Sequence, residues 1–278
     1  MNKYIFLVKR GFGLYEKYWE LKELPFENVP DPRFLYHSTQ HEEALMRLLY
    51  ATKAQKGAAM LTGEIGCGKT TVSRAFVQEL SGSDYEIGII ANPSLSSLDF
   101  LKEILYQLGI EKTADTKSAL LRILNDAILQ NASQSKKTIL IVDDAQAIED
   151  VATYEELRLL LNFQLNNQFL LTLILIGQPE LRDKIAKIPQ MDSRISIRYH
   201  LKSLDLNDTA KYILYRLRTA GMQKHLFTKE AIEKIYHYTA GVPRKINNIC
   251  DLSLLVGSGR KTTLIDSEII QQLIDDSN

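Results

Sequence analysis

The sequence predicts an α/β domain built on a parallel sheet, followed by an all-helical domain, and three observations predict it. Short apolar runs alternate with amphipathic stretches up to Leu204, the pattern that parallel strands joined by helical crossovers require. Two of the runs, Thr138–Val142 and Leu170–Ile176, are apolar almost throughout, as strands buried on both faces are. Beyond Leu204 the strand-like signal stops and only helical periodicity remains.

The elements follow in order. Residues 1–35 read as an irregular segment, punctuated by Pro25, Pro30 and Pro32, with Phe26, Phe34 and Tyr36 available to clamp it to the body. Ser38 or Thr39 can cap a helix starting near His41, with Leu45, Leu48 and Leu49 at helical spacing and Lys56-Gly57 to stop it. Ala58–Thr62 is strand-like, and a helix follows from Lys69 with Val72, Phe76, Val77 and Leu80 on one face. Glu86–Ala91 reads as the next strand, stopped by Asn92-Pro93. Leu98–Leu108, Ala119–Leu129 and Tyr154–Leu165 read as helices, and Ile195–Leu201 as a last strand. Then come four helices, at 208–220, 229–239, 243–256 and 266–274, the third opened by Pro243. The division expected is an N-terminal segment 1–35, an α/β domain 36–203 and a helical lid 204–278.

Composition narrows the classes, and its neutrality weakens a nucleic-acid reading without excluding it. At 278 residues the chain is long enough for a sizeable core, and its 45% hydrophobic and 24% charged content is that of a globular protein. Lys plus Arg equal Asp plus Glu at 34 each, so the basic excess of a nucleic-acid-coating protein is missing. The two cysteines, Cys67 and Cys250, make neither a disulfide framework nor a Cys-x-x-Cys zinc pair, and a reducing cytoplasm is the compartment expected. The apolar run Tyr4–Val8 is too short to span a bilayer, and its flanking charges suit a signal peptide poorly, so no integral membrane segment is expected.

One motif carries chemistry on its own. Gly63-Glu64-Ile65-Gly66-Cys67-Gly68-Lys69-Thr70, followed by Thr71, has P-loop spacing between a strand and a helix. Glycines let backbone N–H groups curl around phosphate oxygens, and the helix N-terminus points positive charge at the same anion. Lys69 can reach the β- and γ-phosphates of ATP, and the Thr70 hydroxyl can ligate Mg²⁺. Cys67 reads as a small residue tolerated in the loop; a helix N-terminus acting on its thiol is the sharper alternative.

Further groups converge on that loop by position in the fold. Ile139–Val142 ends in Asp143-Asp144, at the carboxyl end of a buried strand, where open α/β sheets hold their ligands. Asp143 suits Mg²⁺ and Asp144 suits the attacking water. Gln178 ends another buried strand and is placed for the γ-phosphate or the water. Arg194 and Arg198 flank the last strand, one of them a candidate arginine finger toward a neighbouring subunit. Arg244, at the start of a lid helix, can fold back onto phosphates.

With these residues in place, the chain resembles the AAA+ ATPases of the general secretion pathway protein A group, including those associated with exosortase systems. The matching stretches are Tyr18–Phe26, Pro30–Tyr36, Leu61–Thr71, Val142-Asp-Asp-Ala-Gln146, Ile176–Leu181, Arg194–Leu201 and Gly241-Val-Pro-Arg244. The resemblance implies a P-loop NTPase fold of AAA+ type and Mg²⁺-dependent ATP hydrolysis. It assigns Lys69 and Thr70 to the first nucleotide motif and Asp143 and Asp144 to the second. Gln178 falls at the first sensor, Arg194 at the finger, Arg244 at the second sensor, and Asn92 at the residue that can hold the catalytic acid inactive. The implied partners are further copies of the chain in a ring or filament and a protein of an export or envelope machinery, with the chain cytoplasmic or peripheral at the inner face of the membrane. The group usually has Glu where this chain has Asp144, one methylene shorter, which points to slow hydrolysis or a switch. The membrane span and peptidoglycan-binding region found in that group have no counterpart among the matched stretches. DNA-transposition AAA+ regulators share the core motifs and are the alternative, distinguished by salt-sensitive DNA binding; a non-hydrolysing ATP-dependent adaptor is the third reading.

Overall fold

The computed structural model describes residues 15–80, 82–165 and 168–277; the run Tyr4–Val8 lies outside them. The chain divides into two compact units. Of the described residues, one unit comprises 39–65 and 69–202; the other comprises 15–38 and 203–277, with Gly66–Gly68 grouped with it.

The first unit is a five-stranded parallel sheet flanked by helices. Its strands are β1 (Ala58–Gly63), β2 (Tyr85–Ile90), β3 (Lys137–Val142), β6 (Leu171–Gly177) and β7 (Ile195–Leu201), in the order β2-β3-β6-β1-β7. A two-residue hairpin, β4 (Gln164–Leu165) with β5 (Gln168–Phe169), stands apart from it. Every residue of β1 and β6 is buried, and so is β3 after its first residue, which explains their unbroken apolar character. The register aligns the carboxyl ends: Val142 pairs with Leu175, Thr62 with Gly177 and Gly63 with Leu201. The loops after β1, β3 and β6 therefore emerge side by side.

The flanking helices bury one stripe each. Lys117–Ser133 buries Leu120, Leu124 and Ile128, four residues apart. Ser96 caps Ser97–Gln107 by accepting from Asp99 N. Asp150 caps the next helix by accepting from Ala152 N, so that helix runs Val151–Leu160 and starts earlier than its periodicity suggests. The expected helix to Leu165 is corrected here. Asn162 and Phe163 turn back onto Leu159 O and Leu160 O, and Leu165 joins the hairpin. The leucine run kept a helical period, but the asparagine-rich stretch after it favours a turn. Two short helices, Glu180–Ala186 and Pro189–Asp192, were not expected.

The second unit holds the helices Leu206–Thr219, Lys229–Thr239, Pro243–Arg260 and Ser267–Asp275. The segment after residue 14 packs into their core: Tyr15, Trp19, Leu21, Phe26 and Phe34 are buried among Tyr212, Leu217, Ile246, Ile249 and Leu254. It contains a one-turn helix, Glu16–Trp19, and a 3-10 turn, Pro32–Phe34. Trp19 Nε1 donates to Leu254 O at 2.8 Å. Arg216 is buried and donates to Pro25 O, Glu27 O and the Tyr212 hydroxyl. Among the described residues no helix is long and apolar enough to cross a membrane.

Candidate nucleotide site

The loop after β1 has the backbone that an anion cradle needs. Gly66 and Gly68 have φ of 84° and 97°, in the region that L side chains rarely adopt. At Gly63 the strand passes so close to β7 that a Cβ would meet Leu201 O at 2.5 Å. The helix Lys69–Glu79 starts at the end of this loop and directs its positive end there. Glu64 and Ile65 are exposed, whereas Cys67 is fully buried, with Sγ 3.7 Å from Ser203 Oγ. That burial suits the small-residue reading of Cys67 rather than a reactive thiol.

Lys69 is buried, and its Nζ donates to Gly63 O at 2.7 Å and Glu64 O at 3.0 Å, inside its own loop. The Thr70 hydroxyl donates to Asp143 Oδ2 at 2.9 Å, joining the start of the helix to the end of β3. Burial is the largest influence on Asp143 and raises its carboxyl above the ordinary value. Hydrogen bonds from Asp144 N–H and Thr70 oppose that, the nearby Asp144 charge adds to it, and Lys69 offsets it in part. A half-buried, partly compensated carboxylate facing a hydroxyl is a place where a cation lowers the cost of ionisation.

The donor set fits Mg²⁺. Neighbouring ligands of an octahedral ion at about 2.0–2.1 Å lie roughly 2.8–3.0 Å apart, and the two oxygens of Thr70 and Asp143 are 2.9 Å apart. No cluster of three acidic, His or Cys side chains able to hold a metal exists among the described residues. The ion would therefore keep waters and phosphate oxygens as its other ligands, as Mg²⁺ at phosphates usually does.

Asp144 follows with φ 48°, exposed, at the residue before the 3-10 turn Ala145–Ala147, and its side chain makes no capping hydrogen bond there. Gln146 in that turn was given no role from sequence. Its Nε2 donates to Asp144 Oδ1 at 3.1 Å, and its Oε1 accepts from Gln178 N at 3.0 Å. Gln178 thus stands where expected, after β6, but its recorded contact is through the backbone. Gly177 leaves room for Gln146, because a Cβ there would meet Gln146 Oε1 at 2.7 Å.

Asn92, exposed after β2, accepts from Ser94 N at 3.4 Å, a local turn contact. On the edge strand β7, Arg198 is engaged by Asp192, Nη1 to Oδ1 at 2.9 Å. Arg194 donates instead to the neutral amide of Asn162 at 3.0 Å and makes no ion pair among the described residues. In the second unit, Arg244 N–H donates to Gly66 O at 3.2 Å, and a Cβ on Gly66 would meet Arg244 Cβ at 2.6 Å.

The comparisons with known proteins agree with this geometry. The family described as AAA domain matches residues 52–185. The chain is 39% identical over 251 residues to General secretion pathway protein A of Aeromonas hydrophila, covering 89% of this chain and 45% of that protein. Among solved structures, the Aeropyrum pernix ORC2 protein in ADPNP-ADP complexes superposes with TM-score 0.69 at 16% identity, over 91% of this chain and 71% of that one. Drosophila ORC bound to DNA gives 0.70 at 15%, over 94% and 65%. The sheet order, the loop and the family match make this an AAA-type P-loop protein. Within that class, the chain is similar to General secretion pathway protein A and spans less than half of that relative's length.

Proposed function

We propose that the chain binds Mg²⁺-ATP at Gly63–Thr71 and hydrolyses it, using the cycle to assemble copies of itself and to remodel a partner in an export or envelope machinery. The Thr70–Asp143 contact carries this reading, because it sets a hydroxyl and a carboxylate at the spacing of two Mg²⁺ ligands beside a glycine-rich helix start. In the cycle proposed, Lys69 exchanges its loop carbonyls for β- and γ-phosphate oxygens, gaining charge-assisted hydrogen bonds. Bound Mg²⁺ supplies charge neutralisation on those phosphates. Asp144 accepts a proton from the attacking water, and the products are ADP and inorganic phosphate. Gln178 orients the γ-phosphate or water, Asn92 restrains Asp144 between cycles, and Arg244 serves as the second sensor. Arg194, free of the ion pair that engages Arg198, is the finger offered to another copy. The export setting follows from the likeness to General secretion pathway protein A.

The test is steady-state phosphate release together with nucleotide binding. Wild type is expected to release phosphate, Lys69→Ala to lose ATP binding, and Asp144→Asn to bind ATP and stall. Wild-type release equal to Lys69→Ala would end the hydrolytic reading and leave an adaptor. ATP-dependent DNA binding that weakens steeply with salt would move the chain to the DNA regulators.

A further inference from the structure

On the reading that the site hydrolyses ATP, we infer that Gln146 is a positioning residue that holds the Asp144 carboxylate and links it to the end of β6. The orientation of its amide is fixed by its two neighbours. A backbone N–H at Gln178 requires an acceptor, and a carboxylate at Asp144 requires a donor, so Oε1 faces Gln178 and Nε2 faces Asp144. The reverse orientation would set oxygen against oxygen at one end and N–H against N–H at the other.

The turn bearing Gln146 is anchored on three sides. Lys184, from the helix Glu180–Ala186 that follows β6, donates its ammonium to Gln146 O at 2.7 Å and Ile148 O at 3.0 Å. The buried Tyr154 hydroxyl donates to Ala145 O at 2.8 Å. The side chain itself supplies the third anchor, at Gln178 N, in the space that Gly177 leaves open. A side chain held this firmly offers its remaining N–H to Asp144 at a defined point. It engages Oδ1, and among the described residues Oδ2 takes part in no hydrogen bond. One oxygen is held and the other is left to accept a proton.

This arrangement answers the shorter reach of aspartate. Asp144 sits at φ 48°, a backbone setting that Asp tolerates, and is exposed. An exposed carboxylate samples rotamers unless it is tethered, and a misplacement of about 1 Å costs roughly a hundredfold in rate. The same bridge makes β6 and Asp144 move together: displacement of the Gln178 backbone is passed through one amide to the carboxylate.

The test uses the full chain, with ATP affinity, single-turnover phosphate release and a thermal melt for each variant. Gln146→Glu keeps the acceptor for Gln178 N–H and replaces the donor by a like charge. It is expected to bind Mg²⁺-ATP within about threefold of wild type while its hydrolysis rate falls by about ten- to a hundredfold. Its rate relative to wild type should rise as pH is lowered, because the introduced carboxyl donates again once protonated. Gln146→Ala should lose rate at every pH without that recovery, and should add nothing in an Asp144→Asn background. If Gln146→Glu does not fold, the two Gln146→Ala measurements decide. Rates within threefold of wild type, or a loss that persists in Asp144→Asn, overturn the positioning role. Wild type without hydrolysis removes the reading beneath it and the inference with it, whereas an active wild type indifferent to Gln146 removes the inference alone.

Discussion

Replacing Arg216 should unfold the helical unit first, and Trp19 can report it. Arg216 is a buried cation with no carboxylate in ion-pair range among the described residues. Its guanidinium donates to Pro25 O at 2.5 Å, Glu27 O at 2.9 Å and Tyr212 Oη at 3.0 Å, and lies 4.8 Å from the Phe34 ring centroid. Arg216→Met keeps the aliphatic stem and removes every donor. Hydrogen bonds to a charged group contribute about 1.5–3 kcal/mol each, and carbonyls left without donors cost about 1–3 kcal/mol. The contributions are not additive, and the cation's own desolvation offsets part of them, so the expected loss is about 3–5 kcal/mol. At roughly 2–4 °C per kcal/mol, the melting transition falls by about 6–20 °C. Arg216→Lys keeps the charge but cannot span three acceptors, and should lose about 2–3 kcal/mol. Trp19 is the only tryptophan and is buried in this unit, so its selectively excited fluorescence in a urea titration reads this transition. A Trp19 midpoint in Arg216→Met within about 1 kcal/mol of wild type would refute the claim that this residue fastens the segment around Pro25 to the helices.

Three other outcomes are expected. Asp143 has a folded pKa raised by burial above the ordinary carboxylate value. Its contribution to stability is therefore complete below the unfolded value and lost as pH rises through the folded one. Melts of the nucleotide-free protein should show Asp143→Asn gaining on wild type as pH rises through that window, while stabilisation of wild type by Mg²⁺ grows in the same direction; a gap independent of pH would contradict the raised carboxyl. Gly241→Ala should destabilise the helical unit by about 3 kcal/mol or more, because φ is 71° and the new Cβ would lie 1.8 Å from Leu204 O. The Trp19 transition measures it, and a neutral result would rule out that close approach. Arg194→Ala should lose ATPase activity only under assembled conditions, and mixing it with Lys69→Ala should restore part of the rate; failure of the rescue points to Arg198 or to no finger.

Much of the fold was legible because burial writes itself into sequence. β3 and β6 are buried almost end to end, and they read as apolar runs with no alternation. The helix Lys229–Thr239 was read to the residue, since Thr228 caps it by accepting from Ala231 N and Gly241 follows its end. Legibility failed where periodicity and local turn chemistry disagree. The leucine-rich stretch after Tyr154 keeps a helical period past Leu160, but the chain turns at Asn162 and Phe163 to form the hairpin. Glu180–Ala186 and Pro189–Asp192 are too short to accumulate a periodic signal. The placement of residues 15–38 against helices more than 165 residues later was equally hidden, because proline punctuation describes local shape and not the distant surface that buries Phe26 and Phe34.

The site divides along the same line. Lys69, Thr70, Asp143 and Asp144 could be proposed from the sequence because each sits at a fixed offset from a strand end, and the sheet delivers strand ends together. Gln146 and Gly177 were overlooked because their roles exist only across strands. Gln146 meets Gln178 at a separation of 32 residues, and it does so because β6 inserts between β3 and β1 in the sheet. Nothing local in Val142–Gln146 says that β6 will be the neighbour of β3, and a glycine before a glutamine does not announce that a distant amide needs its missing Cβ. A sequence shows the groups that act on a nucleotide, since phosphate chemistry constrains their type and spacing. The groups that hold those groups still are constrained only by which strands lie side by side, and that is the part the parallel order β2-β3-β6-β1-β7 had to supply.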